Sequence, residues 1–144
     1  MAKVMAEALL AQAYECDKSL LAVKGVKVES AGLSAWAGSP ASMQAVAIMA
    51  GYELDLQNHQ SKMVDENLMA NADVVWCMTQ GHLRHLLELY PQHAAKCDSL
   101  DPAGDVADPF GGDLEVYEMC AMQMEALLRQ RLQVLLDDVD DSAS

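Results

Sequence analysis

The hydrophobic and polar positions of this chain follow two kinds of pattern, helical spacing and short apolar runs. Helical spacing predicts five helices, at residues 4–14, 41–52, 61–72, 80–90 and 114–136. Ser61 and Asp113 are the predicted N-caps of the third and fifth helices. One face of the fifth helix carries the apolar residues Tyr117, Cys120, Ala121, Met124, Leu127, Leu128, Leu132 and Leu135.

Three shorter segments have the pattern of strands. Residues 26–30, VKVES, alternate and are β-branched, whereas 73–79, DVVWCMT, are apolar without alternation, as is typical of a strand buried in a parallel sheet. A third short strand is predicted at 96–101. The resulting order, α-β-α-α-β-α-β-α, predicts an α/β fold, a three-layer doubly wound parallel sheet with a helix where the first strand normally stands.

Length and composition narrow the range of functions. A chain of 144 residues is expected to form one domain, here residues 1–136, followed by a solvated acidic tail at 137–144. The net charge of −13 argues against a nucleic-acid partner, and no apolar run approaches the ~18 residues that a membrane span needs. Four separated cysteines without a CxxC pair are typical of a reduced, cytoplasmic protein.

Four ordered motifs carry a resemblance that covers nearly the whole chain. They are SAGLSAWAGSPAS, NHQS, ADVVWCMTQGH and DVADPFGGDLEVY, starting at residues 30, 58, 72 and 105. In this order and spacing they resemble the low-molecular-weight protein phosphatases. The likeness is closest to bacterial members with a DPFGG loop, which include protein-arginine as well as protein-tyrosine phosphatases. The substrate implied is a phosphoprotein, and no cofactor or metal is implied.

In that family, a central first strand leads into a phosphate loop of the form Cys-x5-Arg-Ser-Pro, followed by a helix that begins MAEALL. The loop amides and the helix N-terminus hold the phosphate, the thiolate attacks phosphorus, and the arginine binds the phosphoryl oxygens. Here MAEALL starts at Met5, and Ala2, Lys3 and Val4 occupy the Arg-Ser-Pro positions. We therefore expect the fold to lack its first, central strand and this chain to be inactive as a phosphatase.

The resemblance also implies roles for six residues that the chain retains. Asp108 corresponds to the general acid that protonates the leaving group, and we expect it to be idle without a nucleophile. Trp36 and Phe110 correspond to aromatic walls of the substrate cleft. Residues that support the phosphate loop correspond to His59, Ser30 and Ser61.

Other chemistry has weaker support in the sequence. Cys77 precedes Arg84 by seven residues rather than six, and its segment resembles a strand and helix of the family rather than a phosphate loop. His82 and His85 have a spacing found in metal sites, but no third ligand is evident, so a solvated helix face is the preferred interpretation.

Three functions remain open. The chain is an inactive phosphatase homologue, an N-terminally truncated form of an active protein-tyrosine or protein-arginine phosphatase, or a non-catalytic interaction module. The resemblance implies that the missing strand lies between the strands represented here by residues 26–30 and 73–77, so without it these two strands would face each other as unpaired edges. We therefore expect either rearrangement or a homo-oligomer formed through the exposed sheet edge.

Overall fold

Helices dominate the fold. The computed structural model describes residues 1–33, 41–57, 59 and 62–143. In chain order the elements are α1 (Ala2–Ala13), α2 (Met43–Gly51), α3 (Glu66–Asn71), β1 (Val75–Cys77), α4 (Gln80–Leu89), β2 (Cys97–Ser99) and α5 (Leu114–Ala143). Two 3₁₀ turns, Lys18–Leu20 and Pro91–Lys96, follow α1 and α4. All five predicted helices and two of the three predicted strands are therefore confirmed in type and order.

Polar side chains begin four of the helices. The Ser42 hydroxyl accepts the Ala45 N–H at 3.2 Å, and the Thr79 hydroxyl accepts the His82 N–H at 3.0 Å. The Asp113 carboxylate accepts the Val116 N–H at 3.1 Å, which confirms the predicted cap of α5. The start of α3 was predicted wrongly, because its cap is Asp65, which accepts the Leu68 N–H at 2.7 Å, rather than Ser61. The observed helix is shorter than predicted, because Met63 has an extended backbone and pairs with Gly32.

The sheet described here is small and parallel. β1 pairs with β2 in a register that places Val75 beside Cys97 and Cys77 beside Ser99. The prediction of a strand at residues 26–30 is wrong, because that segment forms no ladder with any described residue. Its two valines are half-buried against the main core, so the segment is held by packing rather than by sheet hydrogen bonds.

Two apolar clusters lie on opposite faces of β1. The main cluster unites α1, α2 and α5 through residues such as Met5, Met49 and Leu128, and Trp76 and Met78 pack against it. The second cluster, centred on Met69, Cys77 and Leu86, includes Val75 and joins α3 and α4 to the sheet. Because successive side chains of a strand point to opposite faces, β1 separates two helical layers. This three-layer arrangement confirms the predicted α/β fold class.

The long helix α5 contributes a continuous inner face to the core. Its buried residues are Tyr117, Cys120, Ala121, Met124, Leu128 and Leu132, as the periodicity predicts. The backbone remains helical through Ala143, so the acidic residues after 136 continue the same helix. No helix in the described part of the chain combines the length and the apolar character needed to cross a bilayer.

Candidate active site

The loop that carries Asp108 is attached at its base to the end of β1 and the start of α4. The N–H of Val106, a residue only 2% exposed, donates to the Met78 carbonyl at 2.7 Å. The Asp105 carboxylate accepts the N–H of Gln80, the first residue of α4, at 2.8 Å. A carboxylate at a helix N-terminus also interacts favourably with the helix dipole. These bonds hold the loop at the carboxyl end of β1.

The tip of this loop presents Asp108 and Phe110 to solvent. The Asp108 carboxylate accepts the Phe110 N–H at 3.0 Å, an Asx-type turn, and Phe110 is 84% exposed. Gly111 has φ of +83°, which favours glycine. A Cβ on Gly112 would lie 2.8 Å from Val116 Cγ1 and 2.9 Å from the Pro109 carbonyl oxygen, so that glycine allows the loop to lie against α5.

Cys120, on the inner face of α5, lies beneath this loop. Its Sγ is 3.6 Å from the Ala107 carbonyl oxygen, and the residue is buried. Burial raises the pKa of the Cys120 thiol; the α-ammonium of Met1 lowers it in part, and the Asp108 carboxylate raises it further. The side chain is therefore a neutral thiol near neutral pH, which is a poor nucleophile.

His59 lies close to the N-terminal end of α1. The backbone N–H of His59 donates to the Leu56 carbonyl at 3.2 Å. Burial lowers the pKa of the His59 imidazole, and the positive charges of the Met1 α-ammonium and Lys3 lower it further. Burial also lowers the pKa of the Met1 amine. The α-ammonium thus lies within electrostatic range of both His59 and Cys120.

The structure places two of the predicted residues, Asp108 and Phe110, at the tip of one loop. His59 is near enough to Met1 and Lys3, at the start of α1, for their positive charges to lower the pKa of its imidazole. Ser30 is half-buried beside Glu29, whose carboxylate pairs with Lys27 and Lys62, and no hydrogen bond joins it to Asp108 or His59. Trp36 and Ser61 lie outside the described residues.

Gln80, Asp105 and Gln123 position this loop, and sequence patterns did not identify this role. The Gln80 side-chain amide donates to the Ser99 hydroxyl at 2.7 Å, while the Gln80 backbone binds Asp105. The Gln123 side-chain amide lies 3.5 Å from the Asp105 carbonyl oxygen. Asp105 was part of the quoted motif, but its bond spans 25 positions and has no local sequence signal. Cys120 could be placed on the inner face of α5, but not beside Asp108.

The described residues were searched for metal-binding groups and for clefts. No three His, Cys, Asp or Glu side chains there approach closely enough to hold a metal ion, and His82 and His85 are exposed on α4. Two shallow clefts lie beside Val46 and Leu54 and beside Ala11 and Leu20, away from Asp108.

Comparison of the sequence with known proteins finds relatives of a single family. The family model described as low molecular weight phosphotyrosine protein phosphatase matches residues 3–141. A protein-arginine-phosphatase of Bacillus subtilis is 34% identical over 141 residues, which cover 93% of this chain and 89% of the relative. The low molecular weight protein-tyrosine-phosphatase Wzb of Escherichia coli is 29% identical over 113 residues, covering 76% and 77%.

Solved structures show the same likeness. The arginine phosphatase YwlE from Geobacillus stearothermophilus superposes with a TM-score of 0.79 at 30% identity, covering 95% of this chain and 86% of that one. A low molecular weight protein tyrosine phosphatase from T. tengcongensis gives a TM-score of 0.79 at 31% identity, with coverages of 92% and 87%.

Proposed function

The chain belongs to the low molecular weight phosphotyrosine protein phosphatase family, and from this membership we propose that residues 1–144 hold the general-acid side of a phosphatase site without hydrolysing phosphate by themselves. Asp108 is the acid, carried on a loop whose base is fixed by Asp105 and Val106. Phe110 offers an exposed aromatic surface to the substrate. Phosphotyrosine and phosphoarginine are the substrates implied by ancestry.

One observation supports inactivity above all others: the cysteine beside Asp108 is a buried thiol. Burial raises the pKa of Cys120, and it also raises the pKa of Cys77 to about 11. None of the four cysteines has an arginine six positions later, since those positions hold Ala22, Leu83, Ala103 and Ala126. Attack on phosphorus needs a thiolate and a cation that binds the phosphoryl oxygens as charge develops.

The direct test is incubation of the 144-residue chain with p-nitrophenyl phosphate. We expect no release of p-nitrophenol above a no-protein control. A Cys120→Ser variant serves as the matched control, because it removes the thiol beside Asp108 with little change in volume. Turnover by the parent chain that the Cys120→Ser variant lacks would overturn the proposal and identify Cys120 as a nucleophile.

A related proposal treats these residues as the larger part of an active phosphatase. Joining a strand and a Cys-x5-Arg-Ser-Pro segment to the MAEALL helix would then produce turnover, and Asp108→Asn would lower it about 10²- to 10⁴-fold. Phosphoarginine is the first substrate to test, because a protein-arginine-phosphatase is 34% identical and the chain has the DPFGG loop. Failure of the joined chain to hydrolyse phosphoarginine or phosphotyrosine would contradict this proposal. An in-frame segment of that form upstream in the gene would support it.

A binding function is the second candidate, and the outer edge of β1 favours it. The register and the bond from the Leu100 N–H to the Cys77 carbonyl direct the backbone groups of Val75 and Cys77 towards β2. The N–H and C=O of Trp76 therefore point away from β2, and no described residue bonds to them. Unpaired edges accept strands from other chains, so we propose that an extended segment docks here, including one from a second copy.

Alternate N-methylation tests this docking. An apolar, β-branched peptide methylated on the amides that face β1 should not bind, whereas methylation in the other register should leave binding measurable by tryptophan fluorescence. Equal binding of both peptides would exclude strand addition at this edge.

A further inference from the structure

The two shallow clefts lie at the C-terminal ends of α1 and α2, and they share a sequence pattern. The cleft after α1, which we call the α1 cleft, lies beside residues 14–17, YECD. The cleft after α2, the α2 cleft, lies beside residues 52–55, YELD. The glutamate and the aspartate of each motif line the cleft. Each cleft therefore places two carboxylates directly after a helix.

Both glutamates have a backbone conformation that favours glycine. The φ angle is 53° at Glu15 and 61° at Glu53. The Glu53 N–H donates to the Ala50 carbonyl at 2.9 Å, and the Leu54 N–H donates to the Met49 carbonyl at 2.8 Å. Glycine would form this helix end with less strain, and the negative end of the helix dipole disfavours a carboxylate. The glutamates therefore do not stabilise the helix ends that they follow.

The two clefts differ in what balances their carboxylates. Leu20 and Lys24, from the turn that follows α1, also line the α1 cleft, so it combines acids with an apolar side chain and a cation. The other described residues that line the α2 cleft are Val46, Ala50, Leu54, Leu56 and Gln57. No cation of the described part of the chain pairs with Glu53 or Asp55. The α2 cleft thus has acids and apolar walls but no lysine.

Further negative charge lies near the α2 cleft. Burial raises the pKa of Tyr52, and the carboxylates of Glu125 and Glu118 on α5 raise it further. Glu125 pairs with Arg129 at 3.0 Å, whereas no cation among the described residues pairs with Glu118. This side of the molecule therefore attracts positively charged groups.

We propose that the α2 cleft binds a short amphipathic segment of a partner protein, in which an apolar side chain lies one turn before a lysine or arginine. The apolar side chain packs against Val46 and Leu54, and the cation lies beside Glu53 and Asp55. Leu20 and Lys24 provide the same two groups in the α1 cleft.

The size of the α2 cleft sets the strength of this binding. Its volume of about 280 Å³ is at the small end of ligand sites, which begin at ~300 Å³. It holds a few side chains rather than a folded domain. Because the carboxylates are exposed, binding should be weak and should decrease with added salt.

A peptide with the sequence of residues 18–24, acetyl-KSLLAVK-amide, tests the proposal because it carries both groups. Titrated into the isotope-labelled 144-residue chain, it should shift the backbone amide NMR signals of residues 46–57 with a dissociation constant of about 0.1–1 mM. A Lys18→Glu/Lys24→Glu peptide should not bind, because like charges meet. A Leu20→Ser/Leu21→Ser peptide should bind several-fold more weakly, because it has no side chain for the apolar walls.

Variants of the protein test the carboxylates. Glu53→Gln/Asp55→Asn should weaken binding of the parent peptide about five- to tenfold, since it removes two charge pairs. The change keeps the side-chain oxygen of Asp55 that accepts the Gln57 N–H at 2.9 Å. The matched control is Asp73→Asn/Glu88→Gln, which removes the same charge at exposed positions outside the cleft and should leave binding unaltered.

Four results would overturn this inference. Absence of shifts at residues 46–57, or equal binding by Glu53→Gln/Asp55→Asn and the parent chain, would exclude the site. Equal binding of the Leu20→Ser/Leu21→Ser peptide would show that charge alone attracts the peptide. Shifts at residues 46–57 that grow with protein concentration without peptide would identify a second copy, rather than a partner, as the occupant. The α2 cleft is away from Asp108, so these results are independent of any phosphatase activity.

Discussion

Gly112 is the residue that allows the acid loop to lie directly against α5. A Cβ at this position would come within 2.9 Å of both the Pro109 carbonyl oxygen and Val116 Cβ. Because neither atom is at the end of a flexible side chain, the loop or the helix would have to move. The position of Asp108 thus depends on a hydrogen atom where other residues carry a methyl group.

Gly112→Ala should therefore lower the free energy of unfolding by about 1–3 kcal/mol, the usual cost of overpacking. Gly104→Ala in the same loop is the control, because nothing lies within 4 Å of its Cβ position. Urea unfolding measures both variants, and equal stabilities would show that the Gly112 contact is not formed in solution.

The pKa of His59 reports on the N-terminal end of α1. Burial and the charges of Met1 and Lys3 lower this pKa, so His59 is neutral at pH 7 and resists protonation in the folded state. Because the unfolded imidazole has a pKa of about 6.5, folding stability should fall as pH drops from that value through the lower, folded pKa.

Lys3→Gln should raise the pKa of His59 towards the ordinary value, and Lys18→Gln, in the turn after α1, should not. Titration of the imidazole by proton NMR measures both variants. An unchanged midpoint in Lys3→Gln would contradict the proximity of Lys3 to His59.

At the scale of elements, Arg131 fastens α5 to the end of β2. Its guanidinium donates to the Leu100 carbonyl at 3.0 Å and to the Ser99 carbonyl, and it pairs with Asp98 at 3.3 Å. Ser99 and Leu100 are each 1% exposed, so their carbonyls have little access to water. Arg129, two residues earlier in α5, instead makes a surface ion pair with Glu125.

Arg131→Met should cost about 1–3 kcal/mol in unfolding free energy, because it leaves buried carbonyls without a donor. Arg129→Met removes an i,i+4 surface pair and should cost about 0.5 kcal/mol or less. Thermal or urea unfolding distinguishes the two variants. A cost for Arg129→Met that equals the cost for Arg131→Met would show that the buried carbonyls do not depend on Arg131.

For the whole molecule, β1 is the element shared by both apolar clusters. Met49, fully buried, belongs to the main cluster, and Met69, 2% exposed, belongs to the second. Because β1 packs against both clusters, disruption of one should destabilise the other. The domain should therefore unfold as one unit.

Met49→Ala and Met69→Ala should each lower the free energy of unfolding by about 2–5 kcal/mol within a single transition. Met43→Ala, at an 85% exposed position, should change it by less than about 0.5 kcal/mol. A second transition in Met69→Ala, seen by comparing circular dichroism with fluorescence, would show that the two clusters unfold separately.

The amino-acid sequence alone determined the features that local chemistry controls. The spacing of Tyr117, Cys120 and Met124 fixed the inner face of α5, and Asp113 fixed its start. The four motifs identified the family and the acid loop, because those residues stay together along the chain. The β-branched residues 26–30 also suggested a strand, but a strand needs a neighbour at hydrogen-bond distance, and local preference cannot supply one.

Tertiary structure alone decided which distant residues meet. The start of α3 moved from Ser61 to Asp65 because Met63 pairs with Gly32, 31 positions away. Asp105 binds Gln80, and Cys120 comes to lie beside Asp108, through contacts that leave no periodic trace in the sequence. Local patterns report propensity and burial over a few residues, whereas these contacts depend on how the layers pack, and packing is a property of the folded chain.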